Sequence, residues 1–179
     1  PMEPEIPSLM GKHLKIFEEL GCSIEETEPD FSGADEVFKT LRAFDYAISH
    51  KYLLDNHKDQ LKDTVIWNIE QGLKLSSVDI GKALNKRTEL FNKLVEFTSK
   101  FEYIILPVSQ VLPFDVNKPY IDEINGVKMG SYIDWMKSCY YISITDHPAI
   151  SMPCGFSKNG SPFGIQIVGR HKKEFSVLQ

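Results

Sequence analysis

The sequence predicts an α/β fold, with helices packed on a sheet. Three observations carry that expectation. Apolar residues recur at helical spacing through most of the first hundred positions. The run "YIILP" at 103–107 is continuously apolar and stopped by proline, as expected of a strand buried on both faces. The stretch "AISMPCGFSKNGSPFGIQIVG" near the end of the chain reads as strand, polar turn and strand. No linker, internal repeat or low-complexity segment interrupts this order. A single domain over residues 1–179 is therefore expected.

The elements follow in order. Ser8 is placed to cap a helix running to about Leu20, with Leu9, His13, Ile16 and Phe17 on one face and Gly21 as its stop. Alternation in "CSIEETEP" predicts a short strand next. Ser32 and Asp35 form an S-x-x-D pattern before a helix carrying Val37, Leu41, Phe44 and Ile48. A third helix through Leu61, Val65 and Ile69 ends at Gly72, and the longest helix opens at Ser76 and Asp79 and runs through Ile80, Leu84, Phe91, Leu94 and Phe97. After "YIILP" comes a long segment, 108–130, in which Asn125-Gly126 predicts a small hairpin. A loop of that length in a folded domain is usually functional or packed over something. Ser131 and Asp134 then cap a helix through Ile133, Met136, Tyr140 and Tyr141. In the closing strand pair, Asn159-Gly160 predicts the tightest turn, with positive φ at both central residues.

Composition narrows the function classes. The 179 residues are 42% hydrophobic and 25% charged, with a net charge of −5, which is ordinary for a globular protein. No concentrated basic stretch provides a nucleic-acid surface. No apolar run approaches a membrane span, and "PMEPEIPSLMGK" lacks the layout of a signal peptide. Three widely spaced cysteines, Cys22, Cys139 and Cys154, do not suggest a disulfide framework, so a reducing cytoplasm is the default expectation. The chain begins with Pro1 and stops in "KEFSVLQ", which reads as the first turns of a helix. Both ends are those expected of a fragment.

Candidate sites are few. Cys154 with His147 and Asp146 invites a thiol mechanism, but His147 lies at the far end of the same predicted strand, about 20 Å away in extended chain. A nucleophilic thiol needs its base within hydrogen-bond reach, so a small packing residue is the simpler reading of Cys154. His50 and His57 stand two helical turns apart, and neither H-x-x-x-H nor C-x-x-C occurs, so no metal site is expected. The glycines of the closing hairpin match no phosphate-binding loop. Gly155 and Gly164 mark close backbone approaches or bulges. The aromatic group Trp135, Tyr132, Tyr140 and Tyr141 lies between the long loop and the hairpin, where a pocket wall could form. From these residues alone the chain is a soluble α/β domain with an aromatic pocket and no catalytic constellation.

The hairpin carries a resemblance. "HPAISMPCGFSKNGSPFGIQIVGR" resembles the C-terminal signature of the amidase signature family, approximately G-x-P-A-x-S-x-P-x-G, a polar turn, then G-x-P-x-G-x-Q-x-x-G. Pro148, Ser151, Pro153, Gly155, Gly160, Pro162, Gly164, Gln166 and Gly169 agree in order and spacing. "MGKHLKIFEELGCSIEETEPDF" is similar to the family's helix and strand after its catalytic core. Glu102, Leu106 and Pro107 fall where the family has D-x-x-L-x-P-T, and "EFSVLQ" matches the start of its final helix. The agreement is strongest after residue 144. Asp146, His147 and Phe163 depart from the usual residues at their positions.

The resemblance implies the C-terminal portion of the amidase signature fold, whose helices pack on a mixed sheet. It also implies that the intact protein hydrolyses carbon–nitrogen amide bonds through an acyl-serine intermediate, without metal or organic cofactor. The serine nucleophile, a second serine and a lysine base belong to a Gly/Ser-rich core that this chain does not contain. No residue here is assigned as catalytic, and the chain alone is expected to be inactive. Substrate contacts fall to Trp135, Tyr132, Thr145 and Asp146. The implied partners are a small-molecule amide and the absent N-terminal catalytic half, with no nucleic acid bound directly and no membrane. Aryl-acylamidases, fatty-amide hydrolases, urea-derivative hydrolases and the glutaminase component of tRNA-dependent amidotransferases all share the hairpin. Two rivals stand beside this reading. One is a non-catalytic interaction protein derived from an amidase half, and the other is a thiol hydrolase using Cys154 and His147. The apolar strands "AISM" and "GIQIV" favour a partner segment or a homo-oligomer over a self-sufficient monomer.

Overall fold

The hairpin at the end of the chain organises the only three-stranded sheet in the computed structural model, which describes residues 1–179. Strand β1 (Ile104–Pro107), β4 (Ala149–Phe156) and β5 (Pro162–Val168) form this sheet in the order β1-β5-β4. Both pairings are antiparallel, with Leu106 and Ser151 each opposite Gln166 on the central strand. The α/β class holds, but the strands of this chain pair antiparallel rather than as a mixed sheet. Strand β1 has a neighbour on one side only and is half-buried throughout, not buried on both faces. Strand β4 forms the other edge, and there Pro153 can take part because its missing N–H is not needed by a further strand.

The chain divides into two compact units. One comprises Pro1–Pro29 with Leu94–Gln179, and the other Asp30–Lys93; the boundary falls within helix α4 (Ser77–Lys100). In the second unit, α2 (Ala34–Asn56) packs against α3 (Asp63–Gly72). They meet through small residues: Ala43 and Ala47 are buried on α2, and a side chain on Gly72 would collide with the Ala43 carbonyl. The α4 N-terminus is capped as its sequence predicts. Asp79 accepts the Ser76 backbone N–H at 2.9 Å and its hydroxyl at 2.7 Å, while Ser76 Oγ accepts the Asp79 N–H at 3.2 Å.

Three local expectations are corrected. Helix α1 (Glu5–Glu19) begins a turn before Ser8, because Pro4 and Pro7 lie where helical N–H groups have no partner to lose. Gly21, with φ 90°, does stop it. The segment after Gly21 forms no strand: it has no ladder partner, and Ile24 is exposed. At α2 the cap is Gly33 in the left-handed region, not Ser32, whose N–H is instead held by Asp30 at 2.8 Å. Asp30 also pairs with Lys93 at 2.7 Å, and that ammonium holds its carboxyl well below the usual range.

In the first unit, α1 packs on β4 and β1 through Ile6 and Leu9, and α6 (Glu174–Leu178) packs on β4. A two-residue hairpin, β2 (Glu123–Ile124) and β3 (Val127–Lys128), sits in the long loop. Its Asn125 and Gly126 have φ of 49° and 76°, the paired positive angles of a type I′ turn. Ser131 Oγ and N–H both donate to Asp134 Oδ2, as the sequence predicts, and a 3-10 turn leads into α5 (Lys137–Ser143). No helix is long and apolar enough to cross a membrane.

Candidate functional site

Strand β5 fixes the site by tying down what lies on either side of it. Gln166, buried on β5, donates its amide to Ser138 O at 2.8 Å and to Pro107 O at 3.3 Å. Ser138 Oγ in turn donates to Val108 O at 2.9 Å, and Val108 N–H extends the ladder to Gly164 O at 3.1 Å. The end of β1, the start of α5 and the middle of β5 are thus one hydrogen-bonded cluster. Gly164 is required at its centre, since a side chain there would press on Met152 O at 3.0 Å and Val108 at 3.3 Å.

A second set of bonds holds the loop that leaves β1. Gln110 is buried; its amide donates to Pro1 O at 2.6 Å and its carbonyl side accepts the Lys137 N–H. Glu3 N–H donates to Gln110 O at 2.9 Å, and Glu3 Oε2 accepts the Leu112 N–H at 2.8 Å. Behind the loop, Val111, Ile121 and Ile124 form a buried cluster against which Met129 and Trp135 pack.

Between these two sets lies a cavity of about 280 Å³. Its walls are Ile6 from α1, Val108, Ser109 and residues 111–114 from the loop, Trp135, Ser151 from β4, and residues 162–164 at the start of β5. Phe114 and Trp135 meet edge to face, with ring centroids 5.4 Å apart at 88°. The Trp135 indole N–H is buried and has no hydrogen-bond acceptor in the chain. The lining holds two hydroxyls, Ser109 and Ser151, and no titratable side chain. It can hold a small organic group, but it contains no base to activate a hydroxyl.

Of the four residues named from sequence, Trp135 lines this cavity. Tyr132 stands beside Tyr120, ring centroids 6.3 Å apart. Thr145 is fully buried and donates its hydroxyl to Ile142 O at 2.7 Å. Asp146 is exposed with φ 54°, and its carbonyl accepts His171 Nδ1–H at 2.7 Å. The loop residues Val111 to Phe114 fall within the long segment 108–130 that the sequence marks as functional or packed over something. Their signal is an apolar "VLPF" where a surface loop would be polar.

The hairpin itself answers for Cys154. Pro153 pairs with Gly164 and Gly155 with Phe163, so Cys154 is the extra residue of a β-bulge. Gly155 takes φ 136° there, and His13 Nε2 lies 3.2 Å from where its side chain would begin. Burial pushes the Cys154 thiol up, away from thiolate. Burial likewise lowers the pKa of His147, against the opposing effect of its Nδ1–H bond to Thr145 O at 2.8 Å. The sulfur of the thiol pair is therefore not activated.

Helix α1, the loop, the aromatic turn and the bulged hairpin together wall one largely apolar cavity. A family model described as Amidase matches residues 1–178, and the chain belongs to the Amidase family. It is similar to an acylamidase of Rhodococcus erythropolis, 25% identical over 181 residues, covering 99% of this chain and 38% of that protein. It is also similar to a glutamyl-tRNA(Gln) amidotransferase component of Alkaliphilus metalliredigens, 34% identical over 203 residues, covering 98% and 40%. In fold it matches a crystal structure of an amidase with TM-score 0.88 at 21% identity, covering 99% of this chain and 40% of the other. A bacterial aryl acylamidase gives 0.84 at 22%, covering 99% and 39%. The chain spans about 40% of the length of the relatives it matches.

Proposed function

We propose that this chain is the substrate-holding C-terminal part of an amidase that, as an intact protein, hydrolyses carbon–nitrogen amide bonds. The observation that carries the reading is the content of the cavity: apolar walls and two hydroxyls, with no titratable group. A serine from the remainder of the protein attacks the amide carbonyl carbon, its proton passes to a lysine base, and the amine leaves with a proton. Water then attacks the acyl-serine and releases the acid. Neither step needs a metal or an organic cofactor, and the residues of this chain position the amide for both.

Trp135 is the residue we assign to direct substrate contact. Tyr132, Thr145 and Asp146 are assigned to the same side of the substrate through the loop and the turn into β4. The open edge of β4, where Met152 and Phe156 are 43% and 71% exposed, is assigned to the remaining segment of the amidase rather than to a second copy. Three free cysteines support placing the protein in the reducing cytoplasm.

The test compares the intact protein with the 179-residue chain on a panel of aryl, alkyl and glutamine amides. Hydrolysis by the intact protein alone is the expected result. Turnover by the short chain, abolished by changing one of its own serines, overturns the division of roles. No turnover by the intact protein overturns the amidase reading in favour of a binding protein.

A further inference from the structure

We infer that the cavity accepts the uncharged, ring-sized portion of an amide and discriminates against amides that carry a carboxylate or an ammonium group. The inference rests on the amidase reading above and narrows its substrate. Size sets the upper limit on the ligand. An apolar cavity of about 150 Å³ is enough to bind benzene, so about 280 Å³ holds a ring with one or two small substituents.

The walls favour a flat ring. Phe114 and Trp135, set edge to face, and the buried Phe163 supply three aromatic surfaces. Edge and face contacts of this kind favour a flat π-system over a flexible polar chain.

Charge sets what the cavity excludes. An amino acid amide such as glutamine carries an ammonium and a carboxylate, each of which needs a partner once removed from water. The part of the lining that this chain supplies provides none.

The polar groups that do line the cavity are neutral. Ser109 and Ser151 can donate or accept. The Trp135 indole N–H is buried without an acceptor, an arrangement that proteins avoid. A carbonyl, ether or nitro oxygen on the ligand would complete it.

The experiment uses the intact protein with 4-nitroacetanilide and L-glutamine as substrates. It also uses benzamide and L-glutamine as probes in saturation-transfer NMR, which reads binding without turnover. The inference expects kcat/KM at least about 100-fold higher for the anilide than for glutamine. It expects a saturation-transfer signal from benzamide and none from glutamine. Trp135→Phe, which keeps a ring but removes the N–H, should raise KM for the anilide about 3- to 10-fold with kcat within about twofold.

If glutamine is turned over as well as the anilide, the specificity is overturned while the amidase reading stands. If no amide is hydrolysed, the amidase reading falls and the NMR result decides the cavity: a benzamide signal without a glutamine signal upholds the inference, and silence from benzamide overturns it. An unchanged KM in Trp135→Phe removes the indole N–H from the recognition. The wild-type comparison decides the matter even where that variant fails to fold.

Discussion

Two Asn-Gly dipeptides head two hairpins in this chain, and they fold differently. Between β2 and β3, Asn125 and Gly126 are the whole loop, and both take positive φ, 49° and 76°. Between β4 and β5, only Gly160 does so, at 78°. There the loop is longer. Ser157 N–H bonds Ser161 O at 2.8 Å, Gly160 N–H bonds Ser157 O at 3.0 Å, and Ser161 N–H bonds Ser157 Oγ at 3.0 Å. This is a three-residue loop with a left-handed third position, not the two-residue turn its dipeptide suggests. The dipeptide announces a turn; the bonds of the flanking residues choose which one. The hairpins also differ in what holds them. The large one is held by two ladders and a bulge. The small one has two residues per strand and depends on Ile124, which is 1% exposed.

That dependence gives the largest expected effect. Ile124→Ala removes the plug between Val111, Ile121 and the cavity residue Trp135. Thermal or urea unfolding should report a loss of about 3 kcal/mol. In the intact protein the amide KM should rise more than kcat falls, because a wall moves while the reacting groups do not. An equal cost without a KM change would show that the small hairpin stabilises the loop without shaping the cavity.

Gly155→Ala tests the corresponding point of the large hairpin. The new methyl group would meet φ 136° and close contacts with His13 Nε2 at 3.2 Å and the Phe163 ring at 3.3 Å. A loss of about 2 kcal/mol is expected. A neutral result would show that the bulge relaxes, and that Phe163 is not held against the cavity by backbone geometry.

How much of this was legible beforehand follows from the range of the forces involved. The Ser76–Asp79 cap, the Gly21 and Gly72 helix ends and the Asn125-Gly126 turn are set by groups within four residues of one another, and sequence reports them. The strand expected after Gly21 fails because alternation cannot supply a partner strand. The bulge at Cys154 was only hinted at by Gly155, since register is a property of two strands. The cavity was half legible: Trp135 and the long loop stood out, whereas Ile6, Ser151 and Phe163 join it through contacts far apart in sequence.

A smaller effect distinguishes the base of the large hairpin by pH. Burial depresses the pKa of His147, with His171 acting in the same direction and Thr145 O and Asp146 opposing. The folded form therefore holds this imidazole neutral, while the unfolded chain protonates it below about 6.5. Protons bind preferentially to the unfolded state, so stability is fully present above the unfolded pKa and is lost as pH falls through the folded one. Urea midpoints should decline below about pH 6.5, and His147→Gln should flatten that part of the profile. An unchanged slope would assign the titration elsewhere.

The smallest effect separates the two dipeptides directly. Asn125→Ala places a residue with poor tolerance for positive φ at 49°, where asparagine is among the few side chains that settle. It should cost about 1 kcal/mol. Asn159 is not in that region, and it lies in an exposed loop whose bonds come from Ser157, Gly160 and Ser161. Asn159→Ala should stay within about 0.5 kcal/mol of the parent. Paired unfolding curves for the two variants measure the difference with the chemistry of the substitution held constant. Equal costs would mean that asparagine acts through side-chain hydrogen bonding in both turns. A cost at position 125 alone would establish that backbone angle, set by loop length, is what distinguishes one Asn-Gly from the other.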